Sequence, residues 1–162
     1  MINSFPLLVW RESVCMGDDC LAPHEVVLSI HRDESLRQLL DRLLTASYLP
    51  DVKGKATWIL QVGTRSGGRP LCLIAHCWPQ PQFLVDPDLP VRSYIGPESK
   101  PHLQFKYWLY AAPDSVLNNL VLGLPVINEN GRQYGRKEPD RMYGQKAQDI
   151  PVSFTTRTSF TA

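Results

Sequence analysis

Asp33-Glu-Ser-Leu-Arg-Gln-Leu-Leu-Asp-Arg-Leu-Leu-Thr-Ala-Ser47 is the stretch on which the fold of this chain turns. Leu36, Leu39, Leu40, Leu43 and Leu44 recur at helical spacing and share one continuous face, while Arg37, Asp41 and Arg42 fall off it. Such a stripe is an amphipathic α-helix laid on a core. Each leucine fully buried contributes about 1.5–3 kcal/mol, which makes this helix a principal source of stability. Asp33 is the expected N-cap, because its carboxylate can accept the unpaired amides of the first turn. Ser35 with Gln38 offers a capping box one register later. Tyr48-Leu49-Pro50 is expected to end the helix, since a residue before proline avoids helical angles.

On the N-terminal side, residues 5–11 form a short apolar run and are expected as a strand. Residues 25–31 alternate, with Val26, Leu28 and Ile30 on one face and Val27, Ser29 and His31 on the other, which is the period of a half-buried strand. A polar loop with Gly17, Asp18, Asp19 and Pro23 joins the two into a hairpin. On the C-terminal side, residues 57–62 are rich in strand formers. Residues 64–69, with Gly67-Gly68, read as a turn. Residues 70–78 are nearly continuously apolar, as in a central strand. The proline-rich stretch 79–101 is an irregular excursion with at most a short strand around residues 83–85. Residues 103–110 alternate again and resume the sheet. A short second helix is expected around residues 116–120, closed by Gly123 and Pro125.

These elements predict an α+β domain over residues 1–127. A mixed sheet of about four to six strands carries one main helix. Residues 128–162 are polar and basic, and are expected to be an extension that is mobile or orders on a partner. The chain has 162 residues, 43% of them hydrophobic and 20% charged, enough for a real core without disulfides or metals. Seventeen basic and sixteen acidic side chains nearly cancel, which disfavours a general nucleic-acid binder. The N-terminus has no basic region ahead of its short apolar run, and no run reaches membrane-span length. A cytoplasmic protein with mostly reduced cysteines is the expectation.

The order strand, strand, helix, strand, strand, excursion, strand resembles the β-grasp arrangement of ubiquitin-like domains. The leucine-rich helix beginning Asp33-Glu-Ser-Leu36 directly after the second strand carries the likeness, over roughly residues 5–109. It is a likeness of architecture, not of motif. A conjugated ubiquitin-like modifier would end in glycines, whereas this chain ends Ser-Phe-Thr-Ala. In general type, a small domain with acidic loops and no evident active site also resembles the immunity proteins that neutralise bacterial toxins.

No strong catalytic, metal or cofactor signature is present. Cys15, Cys20 and His24 share one loop, and Cys72, His76 and Cys77 cluster downstream, but four residues separate the cysteines of each pair, against the tighter knuckles of structural zinc sites. Cys15 and Cys20 are left open as free, bridged or metal-bound. A thiol- or zinc-dependent enzyme would use Cys15 or Cys20 with His24, oriented by Asp18 or Asp19. Gly63, Gly67 and Gly68 with Arg65 and Arg69 lack the lysine and following helix of a phosphate loop. The tail, with Tyr134 and Tyr143, offers at most a weak nucleic-acid contact.

The expectation is therefore a non-enzymatic protein-binding module without a cofactor, its partner another protein such as a toxin domain. Its candidate binding residues are Asp18, Asp19 and Glu25 around the hairpin loop, and Phe83, Asp86, Asp88 and Tyr94 on the excursion. Aromatics set among charges on long loops are what recognition surfaces use.

Overall fold

A computed structural model describes residues 3–14, 19, 24–50, 52, 57–64, 67–96, 102–108, 111–128 and 131–134. The strands are β1 (Ser4–Arg11), β2 (Glu25–His31), β3 (Thr57–Thr64), β4 (Gly67–Ala75), β5 (Gln82–Phe83) and β6 (His102–Trp108). The helices are α1 (Leu36–Thr45) and α2 (Pro113–Val121), with a 3-10 turn at Val91–Ser93. Together the strands make one six-stranded sheet in the order β2-β1-β6-β3-β4-β5. β1 and β6 run parallel, and the other neighbours are antiparallel. The fold class is α+β, as the hydrophobic pattern predicts.

α1 starts from Ser35, not from Asp33. The Ser35 hydroxyl accepts from the Gln38 amide at 3.2 Å, and Gln38 Oε1 accepts from the Ser35 amide at 2.9 Å, completing the box. Asp33 lies in the turn after β2, with its carboxylate 3.9 Å from His31 Nδ1. The helix also ends before Pro50 has any say. Ser47 takes a left-handed φ of 52°, and its amide bonds the Leu44 carbonyl at 3.0 Å. The Tyr48 amide reaches back to the Leu43 carbonyl at 3.0 Å. This pair of bonds is a Schellman stop, which satisfies carbonyls the helix leaves orphaned.

Leu36, Leu39, Leu40 and Leu43 are buried against Leu7 and Val9 of β1, Ile30 of β2, Leu60 of β3, Leu71 of β4 and Phe105 of β6. The opposite face of the sheet buries Ile59, Leu73 and Trp108 under Val116 of α2 and Val126. Ile59 and Leu60 are consecutive and both enclosed, so β3 is covered on both faces. That explains why Trp58, Ile59 and Leu60 follow one another with no polar residue between them.

β4 begins at Gly67, so Gly67 and Gly68 pair with Thr64 and Gly63 rather than forming the turn. A side chain at Gly68 would meet the Val62 carbonyl at 2.7 Å and the Gln61 amide group at 2.8 Å, so only glycine fits there. The register shifts between Leu60 and Gln61, which sets Pro70 opposite Gln61 at a bulge. A bulge is where a strand tolerates a residue without an amide hydrogen. β4 stops at Ala75, short of the predicted residue 78, and β5 forms at Gln82–Phe83.

Residues 131–134, assigned by pattern to the extension, pack on the sheet. Ile127 bridges Gln133, the Tyr134 amide bonds the Val126 carbonyl at 2.8 Å, and the Tyr134 ring meets Trp108 edge-on. Residues 129–130 and 135–162, Tyr143 among them, lie outside the described residues. Among the described residues no helix is long and apolar enough to cross a membrane.

Candidate binding surface

The first turn of α1 leaves amide hydrogens that the helix cannot use. The excursion supplies their partners. The Leu36 amide donates to the Leu89 carbonyl at 3.2 Å, and the Arg37 amide to the Pro87 carbonyl at 2.9 Å. In return the Val91 amide donates to the Glu34 carbonyl at 2.9 Å, and Ser35 bridges Pro90. Val91 is wholly buried in the core beneath. The irregular segment is thus held to the helix end by main-chain bonds.

On this anchor the excursion side chains converge. Arg37 forks onto Asp88, with Nε at 2.8 Å and an amino group at 3.3 Å from its two oxygens. The same guanidinium lies over the Phe83 ring at 5.3 Å. Asp86 accepts the Asp88 amide at 3.0 Å, an Asx turn that fixes the carboxylate pair. The Tyr94 hydroxyl donates to the Asp86 carbonyl, and Arg69 of β4 lies 5.8 Å from the Tyr94 ring centre. Phe83, Asp86, Asp88 and Tyr94 therefore share one surface with Arg37 and Arg69. The hydrogen bond from Arg37 holds the Asp88 carboxyl below its ordinary range, and Asp88 raises Arg37 in turn. Both side chains are solvent-exposed, so the pair orients groups more than it stabilises them.

Arg37 was not among the expected site residues, although the sequence holds a signal for it. A basic residue in the first helical turn faces the positive end of the helix dipole, so it calls for an acidic partner nearby. Asp88 is that partner, but it lies fifty-one positions away and no local pattern names it.

Asp19 is a correction. Expected on an acidic recognition loop, it is only 2% exposed and is spent inside the protein. Arg11 donates to both its oxygens at 2.8 and 2.5 Å, and the Ser13 hydroxyl and Val14 amide donate at 3.1 Å. His24 Nε2 lies 3.1 Å from it as well. The Arg11 guanidinium above all holds the Asp19 carboxyl well below the usual carboxylate range. Tyr48 closes the same region, its hydroxyl shared between the Val9 and His24 carbonyls at 3.2 Å. Burial pushes the Tyr48 phenol up to about 12. Glu25 is exposed at the start of β2, on the sheet edge and outside the excursion surface. Asp18, Cys15 and Cys20 lie outside the described residues.

Cys72 is fully buried in β4, where burial pushes its thiol up and makes it a small apolar side chain. Cys77 is exposed in the turn beyond the strand. Among the described residues no group of histidine, cysteine and acidic side chains is placed to hold a metal ion. Comparison with protein-family models, with curated proteins and with solved structures gives no match.

Proposed function

We propose that this chain is a non-enzymatic protein-binding module on a β-grasp frame. The frame is supported by the strand order, in which parallel β1 and β6 each carry an antiparallel outer partner and α1 crosses between β2 and β3. β5, the excursion and α2 are additions to that frame. The observation that carries the binding role is the excursion surface. Phe83, Asp86, Asp88 and Tyr94 are held in one place by main-chain bonds to the end of α1. A loop surface fixed before binding loses little ordering entropy when a partner arrives. The favoured partner is a toxin domain with a basic face, opposite which Asp86 and Asp88 would lie, with the chain acting as its immunity protein.

The test is capture of partners from native cells by the tagged full chain and by an Asp86→Lys/Asp88→Lys variant. A protein retained by the first and lost by the second supports the reading, and toxicity of that partner when expressed alone supports its finer form. Absence of any partner, or equal retention by both chains, overturns it.

A second reading, a thiol- or zinc-dependent enzyme, draws support from the 3.1 Å contact between His24 and Asp19. An orienting carboxylate on a histidine is part of what such chemistry requires. The commitment of the same carboxylate to Arg11 speaks for a structural role instead. Stoichiometric zinc in the purified protein, or a fast-reacting Cys15 or Cys20 at neutral pH, would reverse the ranking.

A further inference from the structure

Asp88 and Phe83 together hold a guanidinium group, and the one they hold is the chain's own Arg37. Asp88 meets it with both oxygens, at 2.8 and 3.3 Å, and the Phe83 ring centre lies 5.3 Å from it. A forked carboxylate combined with an aromatic ring selects arginine over lysine, whose ammonium offers neither a planar fork nor a stacking face.

The two halves of this site are placed without help from the Arg37 side chain. The Asp88 amide is bonded to the Asp86 carboxylate at 3.0 Å, and the excursion is tied to α1 by the main-chain amides of Leu36 and Arg37. Phe83 is set by the pairing of β5 with Cys72 of β4. The occupant is held more loosely. The Arg37 and Asp88 side chains are 47% and 69% exposed, and an exposed ion pair contributes little. Asp41, one turn further along α1, also acts on the Arg37 charge and can take the guanidinium when Asp88 releases it. With Arg37 in place the charges of the surface cancel, two negative from Asp86 and Asp88 against two positive from Arg37 and Arg69. A basic partner therefore meets a favourable field only once Arg37 has moved.

We propose that Arg37 is an internal stand-in for an arginine of the partner, and that binding exchanges one for the other on Asp88 and Phe83. Resting on the binding role of this surface, the exchange adds the chemistry of the contact, an arginine side chain, and names Arg37 as what restrains it. A site that is only partly available binds more weakly by that fraction, so removing Arg37 tightens binding. A pair that serves only to orient the surface has the opposite sign, because its loss loosens binding.

The test is titration of the full chain with a capped tri-arginine peptide, followed by NMR at Asp88 and Phe83, with a capped tri-lysine peptide as the control for charge alone. Arg37→Ala keeps the main-chain bond to the excursion, and circular dichroism checks its fold. It is expected to bind tri-arginine about threefold more tightly than the parent, with tri-lysine weaker on both chains. A double-mutant cycle separates unmasking from the change in net charge: with Asp88→Asn in place, Arg37→Ala is expected to gain nothing. Equal or weaker binding by Arg37→Ala overturns the proposal, as does a gain that survives Asp88→Asn, equal binding of tri-lysine, or no response at Asp88 and Phe83. Capture from native cells reads the binding role separately. A partner that needs Asp86 and Asp88 but is held no more tightly by Arg37→Ala overturns the exchange and leaves that role standing. A gain with the peptide but no captured partner supports the arginine site and overturns its assignment to a toxin.

Discussion

Arg11 and Asp19 show how a pair of charges can sit where loop chemistry is expected. Both are almost fully enclosed, and Asp19 gathers donors from Arg11, Ser13, Val14 and His24. Breaking a buried pair leaves an uncompensated charge, so Asp19→Ala is expected to cost about 3–5 kcal/mol in urea unfolding. Adding Arg11→Met should recover part of that loss, because no unpaired guanidinium then stays buried. If Asp19→Ala alone is close to neutral, the pair is not the anchor described. The pH dependence follows from the depressed carboxyl. Its unfolded value is about 3.9, and its folded value is lower, so the unfolded chain takes up the proton first on acidification. The contribution of Asp19 is complete at neutral pH and falls away as pH drops below about 4. Stability measured between neutral pH and pH 3 should decline less steeply in Asp19→Asn than in the parent.

The ends of α1 separate what its sequence says from what only the fold says. Ser35→Ala should cost about 1 kcal/mol, and Asp33→Ala should stay within about 0.5 kcal/mol, both read from chemical denaturation. Ser47→Gly should be stabilising by about 0.5–1 kcal/mol, since serine at φ 52° carries a strain that glycine avoids. A larger loss at Asp33 than at Ser35 would return the cap to its sequence-expected place. The leucine stripe was legible because its spacing is local and burial follows from it. So were β2 and β6, whose alternating apolar residues line the leucine face of the sheet, and β1 and β3, whose short runs of strand-forming residues are buried. The N-cap was ambiguous because Asp33 and Ser35 both satisfy the local chemistry, and only the turn after β2 decides between them. Gly67 and Gly68 misled for a related reason: glycine signals a turn and a close approach alike, and the Gln61 side chain that makes it the latter lies across the sheet. The excursion residues were identified one by one, but their union around Arg37 depends on contacts far apart in the chain.

At the scale of the whole molecule, the second face of the sheet is closed by residues that composition assigns to a tail. Glu12, just past the end of β1, accepts from Arg132 at 2.8 Å and from the Tyr107 amide at 2.9 Å. Tyr134 lies against Trp108, and its hydroxyl donates to Gln61 Oε1 at 2.5 Å, while the Gln61 amide donates to Gln104 at 3.0 Å. Gln61 and Gln104 are both buried, so this polar relay stands inside the sheet where an unmatched group is costly. Burial accordingly raises the Tyr134 phenol far above its ordinary value, and the group stays a neutral donor throughout the physiological range. Tyr134→Phe should cost about 1–3 kcal/mol by withdrawing that donor, and Tyr134→Ala about 3 kcal/mol or more by also uncovering Trp108. If residues 126–134 fold as one unit with the sheet, both variants lower the denaturation midpoint in a single transition with an unchanged slope. If these residues are an appendage instead, the midpoint of Tyr134→Ala matches the parent. The sequence pattern sets the domain boundary at residue 127, because basic and polar residues beyond it carry no periodic apolar signal. Tyr134 and Arg132 need no such period, since a tyrosine and an arginine reach the sheet through their polar tips as well as their apolar bodies.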